Sequence, residues 1–122
     1  MSEIDQDISL TIDVKKNRLR ILKPTMRLLG SPTMVQLLYH PQNKVILVRA
    51  AKEQTPGGQE LFIHLSKPGG DYEIYSMTFV QKIRKAFPEM QERCSYRLHG
   101  TAVEKESMVS FSMNTLEKVD NA

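Results

Sequence analysis

The sequence contains no tryptophan, a single cysteine (Cys94), and aromatic residues at only 7% of its positions. A lone cysteine forms no internal disulfide, which argues against a disulfide-stapled secreted scaffold. Scarce aromatics leave few platforms on which the bases of a single-stranded nucleic acid could stack. No apolar run approaches the length that a membrane helix needs, and the acidic first residues lack the apolar core of a signal peptide. These absences predict a soluble, cytoplasmic protein without a membrane partner.

The most informative absence is of acids. Between Val14 and Lys52 there is none, while the same stretch carries Lys15, Lys16, Arg18, Arg20, Lys23, Arg27, Lys44, Arg49 and Lys52. The preceding residues hold Glu3, Asp5, Asp7 and Asp13 without a base, so the net charge of +3 conceals a strongly polarised chain. A one-sign block of this kind attracts polyanions. With 122 residues and 40% hydrophobic content, the chain suits one globular domain rather than a disordered segment.

The expected layout is an acidic flexible tail over residues 1–7 followed by a sheet-rich α+β domain over 8–119. Ile8, Leu10, Ile12 and Val14 alternate with polar neighbours, as a half-buried strand requires. After the Lys15–Lys16–Asn17 turn, Leu19 and Ile21 share one strand face, and Arg18 and Arg20 share the other. Pro24 opens a short helix that ends at Leu29, with Gly30 as its left-handed cap. Residues 34–39 and 44–49 form two β-prone runs about a His40–Asn43 loop, and 61–65 and 72–75 form two more. Pro56–Gly57 and Pro68–Gly69 mark turns. Phe79, Val80, Ile83, Ala86 and Phe87 recur at helical spacing and predict a helix over 77–87, stopped by Pro88. Ser76 and Thr78 compete as its N-cap. Residues 95–99 and 108–113 predict a last strand pair, joined by a connection over 100–107. Residues 114–122 form a frayed helical turn or none.

A strand–helix–strand–strand order therefore occurs twice, over 18–51 and 72–113. Two descriptions fit: a duplicated unit, or two ordinary stretches of one α+β domain. The first stretch resembles the AbrB/MazE/MraZ-type swapped-hairpin DNA-binding families. The resemblance rests on Arg18, Ile21, Lys23–Pro24, Arg27, Leu29–Gly30, then Val35, Leu37, Val45, Leu47 and Arg49. It covers about a quarter to a third of the chain, and a tandem arrangement is similar to the MraZ-type members. Lys23–Pro24 reverses the order of the family's Pro–Lys step, Asn17 stands where a glycine is usual, and Ser31–Pro32–Thr33 replaces a Gly–Asp turn. The whole chain is also similar to small uncharacterised proteins of Gram-positive bacteria and their mobile elements, a resemblance that implies no activity. The family resemblance implies transcription regulation through double-stranded DNA. It also implies a homodimer, or an internal pseudo-dimer built from the duplicated unit.

Independently of any family, Arg18 and Arg20 on one strand face stand about 7 Å apart, close to the spacing of successive phosphates. Arginine suits bidentate phosphate or guanine contacts. The expected nucleic-acid-binding residues are therefore Arg18, Arg20, Lys23, Arg27, Lys15, Lys16 and Arg49, with Lys82, Arg84 and Lys85 as an extension if that helix folds against them. The plainer alternative is a solvated sheet face whose bases pair with Asp5, Asp7 and Asp13. Cys94, His40, His64 and His99 fall into no metal-ligand or nucleophile–base spacing, so the sequence predicts no enzyme, cofactor, metal site or small-molecule substrate. Met26, Met77, Met90, Met108 and Met113 serve either as core filling or as an adaptable interaction surface. The latter would make the protein a small interaction module without direct nucleic-acid contact.

Overall fold

A computed structural model describes residues 8–51, 61–64 and 71–119, apart from the side chains of Leu61, Phe62, His64 and Glu104. The expectations for residues 1–7 and for both Pro–Gly turns lie outside these residues. The fold is a small, sheet-rich α+β architecture in which antiparallel strands curl into a half-barrel with two helices. Its elements are β1 (Ser9–Asp13), β2 (Arg18–Ile21), α1 (Lys23–Leu28), β3 (Met34–His40), β4 (Val45–Ala50), β5 (Leu61–His64), β6 (Tyr72–Tyr75), α2 (Met77–Ala86), β7 (Ser95–Val103), β8 (Met108–Ser112) and β9 (Glu117–Val119).

The strands run in the order β5-β3-β4-β8-β7-β1-β2-β6, with β9 attached to β7. Every pairing is antiparallel. The first half of β7 pairs with β1 and its second half with β8, so β7 joins the two halves of the sheet. Alternation decides which face is inside. Leu10, Ile12, Leu19, Ile21, Val35, Leu37, Ile46, Val48, Leu98, Val109 and Phe111 all turn inward and are buried. Each large apolar side chain so buried stabilises the fold by roughly 1.5–3 kcal/mol, which is why a one-residue slip of any of these strands is excluded.

The helices follow from local chemistry. Pro24 sits in the first turn of α1, where its missing N–H is not needed. Gly30 at φ 82° and Ser31 at φ 48° then turn the chain out of the helix, and the Ser31 N–H donates to the Met26 carbonyl at 2.9 Å. For α2 the cap is Ser76, whose Oγ accepts from the Phe79 N–H at 3.2 Å. Phe79, Val80 and Ile83 are buried as the spacing predicts. Ala86 is exposed and Phe87 already lies beyond the helix, which therefore ends one residue early.

Two expectations for the C-terminal region are corrected. The strand read as ending at His99 continues to Val103, and Glu104–Glu106 form a single 3-10 turn. Gly100, read as the start of a connection, is instead a close-approach glycine. A Cβ there would lie 2.7 Å from Phe111 Cε1 and 2.9 Å from Ile8 Cγ2, so only glycine lets β7 cross over the buried Phe111. At the start of the stretch expected to form a frayed helical turn or none, Met113–Thr115 form a 3-10 turn, and further on Glu117–Val119 form β9. This strand has no apolar alternation and exists because β7 offers it an open ladder, pairing Arg97 with Glu117 and Ser95 with Val119. Most of the methionines fill the core: Met26, Met90 and Met113 are buried, Met108 is half-buried, and Met77 is exposed.

Candidate nucleic-acid interface

On β2 the expected division holds: Leu19 and Ile21 are buried while Arg18 and Arg20 turn outward. The two arginines differ sharply in their surroundings. Arg18 Nη2 lies 3.0 Å from Asp13 Oδ2 on β1, and Arg18 Nη1 lies 3.3 Å from Glu73 Oε2 on β6. Arg20 Nε meets the same Glu73 oxygen at 3.7 Å. The Tyr75 hydroxyl donates to the other Glu73 oxygen at 3.4 Å. Burial acts to lower the Arg18 pKa, but Tyr75, Glu73 and Asp13 together outweigh it, and the net direction is upward. With side-chain exposures of 15% for Arg18 and 6% for Asp13, this pair is a tie between strands. Arg20, at 46%, keeps its outward reach. Of the acids weighed as internal partners, Asp13 takes that role; Asp5 and Asp7 lie outside the described residues.

The other candidate binding residues of the acid-free block are distributed over three places. Lys23 and Arg27 are exposed on α1, and the Lys23 N–H donates to Asp71 Oδ1 at 2.6 Å. Arg49 lies on β4 and donates to Gln36 Oε1 on β3, in the other half of the sheet path from β2. It is therefore not grouped with Arg18 and Arg20. Lys15 and Lys16 are exposed in the turn between β1 and β2.

That turn is fastened on both sides. The Val14 N–H donates to the Cys94 carbonyl at 3.1 Å, and the Asn17 carbonyl accepts from the Ser76 N–H at 2.9 Å. Gln81 Nε2 donates to Asn17 Oδ1 at 2.9 Å. Gln81 also accepts from Arg84 Nη1 at 3.3 Å, and Arg84 Nε donates to the Met90 carbonyl at 3.1 Å. Asn17 at φ 51° and a mid-helix glutamine thus lock the turn, α2 and the 88–94 segment into one corner. Lys15, Lys16, Lys82, Lys85 and Arg93 are exposed on the elements that meet in this corner, as are Glu89 and Glu92. Lys15, Glu92 and Arg93 line an open cleft of about 500 Å³. Gln81, Arg84, Lys85 and Pro88 line one of about 250 Å³. Sequence reasoning named Lys82, Arg84 and Lys85 as an extension and missed Arg93. In Gln91–Glu92–Arg93 that arginine carries no charge signal of its own.

The residues that would carry metal or nucleophilic chemistry are dispersed. Cys94 Sγ approaches Gln91 Oε1 at 3.2 Å. His99 Nε2 approaches Glu117 Oε2 at 2.5 Å. Nδ1 of His40 is buried without a hydrogen-bond partner. Among the described residues no group of three or more His, Cys, Asp or Glu side chains is placed to hold a metal ion. No described helix is long and apolar enough to cross a membrane. No family model, curated protein or solved structure matches the chain.

Proposed function

We propose that this protein is a DNA-binding regulator, and that it consists of two interlocked strand–helix–strand–strand units forming an internal pseudo-dimer of the AbrB/MazE/MraZ swapped-hairpin kind. The observation that carries the binding reading is the attachment of the Lys15–Lys16 turn to α2. It ties the start of the acid-free block to the helix that carries Lys82 and Lys85 and to the segment that carries Arg93, all remote in sequence. A surface of one dominant sign with mobile lysine tips suits phosphate contacts, which supply most of non-specific affinity.

The strand pairing supports the tandem reading. In the first unit β3 lies between its own β4 and the β5 that precedes the second unit; in the second, β7 lies between its own β8 and the β1 that precedes the first. The units also pair like with like, β2 with β6 and β4 with β8. Exchanging the units leaves these six pairings unchanged, as a two-fold relation requires, while β1–β2 and β7–β9 have no counterpart among the described residues. The contacts to the helix starts are reciprocal as well. Asn17, just before β2, accepts from Ser76 at the start of α2, and Asp71, just before β6, accepts from Lys23 at the start of α1.

The test is binding of a labelled mixed-sequence DNA duplex over a series of salt concentrations. K15A/K16A/K82A/K85A is expected to bind at least about tenfold more weakly than wild type, with a shallower salt dependence and an unchanged Tm, because all four side chains are exposed. Absence of any wild-type binding at low salt would sink the reading. A second reading, as a protein-interaction module, draws on Tyr75 and Met77, which are 64% and 65% exposed at the junction of β6 and α2. Self-association abolished by Y75S/M77S, in a protein that binds no duplex, would favour it.

A further inference from the structure

The register of β2 against β6 places the two helix starts at opposite ends of one ladder. Arg18 pairs with Tyr75 and Ile21 with Tyr72, so β2 runs out into α1 beside the beginning of β6, and β6 runs out into α2 beside the beginning of β2. Each end carries exposed bases. At one end are Lys15, Lys16, Lys82, Lys85 and Arg93; at the other are Lys23 and Arg27, with Asp71 spent on the first backbone N–H of α1. The ladder is about 10 Å long at 3.4 Å per residue, and the two groups lie beyond its opposite ends. Between them, Arg20 is the more exposed of the two β2 arginines.

We infer that a single chain grips duplex DNA at both ends of the β2–β6 ladder, each basic group holding phosphates of a different strand across one groove. This inference rests on the DNA-binding reading above and adds the mode of engagement. The B-form major groove is about 12 Å wide. Lysine and arginine side chains extending from beyond both ends of a ladder about 10 Å long span a distance of that order and reach phosphates on its two rims. A flexible single strand has no second rim at a fixed distance and engages the richer end alone. The two ends are unequal in charge, so the Lys15–Lys16–α2 end supplies the larger share of affinity and the α1 end supplies the preference for duplex.

The experiment compares the salt dependence of binding to a mixed-sequence duplex and to a single strand of the same length, for wild type, K23A/R27A and the charge-preserving K23R/R27K. K23A/R27A is expected to flatten the duplex slope by about 1.8, two phosphate contacts at about 0.9 each, and to leave the single-strand slope unchanged. K23R/R27K is expected to keep the wild-type slopes. A duplex slope untouched by K23A/R27A, in a protein that still binds duplex, overturns the two-ended grip and leaves the DNA-binding reading standing. So does an equal loss on duplex and single strand. Light scattering of the complex is expected to give one chain per duplex site; two chains would place the second grip on another molecule and overturn the inference. Failure of wild type to bind duplex at all removes both.

Discussion

Asp13 and Arg18, directly opposite each other where β1 meets β2, hold Oδ2 and Nη2 at 3.0 Å with the carboxylate only 6% exposed. An arginine expected from its sequence context to face phosphate thereby also bridges three strands, with Glu73 on β6 as its second anchor.

Replacing Arg18 with alanine is expected to destabilise the protein by about 3 kcal/mol, because it leaves the Asp13 carboxylate buried without its counter-charge. Chemical denaturation reads this as a lowered midpoint at constant slope. R18A/R20A is accordingly unsuitable as a binding probe, since lost stability would pass for lost affinity. R20A alone is expected to change stability by less than about 1 kcal/mol, as befits a half-exposed arginine at 3.7 Å from its partner. An R18A midpoint equal to wild type would show that the tie contributes nothing.

Glu73 shares one oxygen between Arg18 and Arg20. Its replacement by glutamine leaves Arg18 paired with Asp13 and releases Arg20. On the DNA-binding reading, E73Q is expected to bind duplex more tightly than wild type and to steepen the salt dependence by about 0.9, one further phosphate contact. Unchanged or weaker binding by E73Q, with its Tm intact, would remove Arg20 from the interface.

G100A is expected to cost about 2 kcal/mol, since the new methyl group would overlap the Phe111 ring and the Ile8 side chain. A double-mutant cycle with F111L checks the cause. The shorter side chain at 111 is expected to absorb part of the G100A penalty, so that the double variant loses less than the two single losses combined. Strict additivity would place the penalty in the backbone instead.

The strands from β1 to β4, α1 with its Pro24 start and Gly30 exit, and α2 with its buried Phe79–Val80–Ile83 stripe were legible because each is written in local periodicity or a local cap. Continuation of β7 through Gly100 was not, because the reason for that glycine is Phe111, eleven positions away and adjacent only through the β7–β8 register. β9 was illegible for a related reason: Glu117–Lys118–Val119 has no strand pattern and is ordered by an open edge of another strand. At the candidate interface, the one-sign block identified most of the bases, while Arg93 stayed hidden in a mixed-charge stretch.

The sequence by itself determined the alternation that turns Leu19 and Ile21 inward and Arg18 and Arg20 outward, the position of the helices, and the concentration of positive charge between Val14 and Lys52. These are properties of neighbours along the chain. Which of those charges remain available was decided by tertiary structure alone. Antiparallel pairing of β2 with β1 and β6 brings Asp13 and Glu73 onto the arginines, and the Asn17–Gln81 bond carries Lys15 and Lys16 to α2. Charges act through space over a few ångströms, and only the folded register sets those distances.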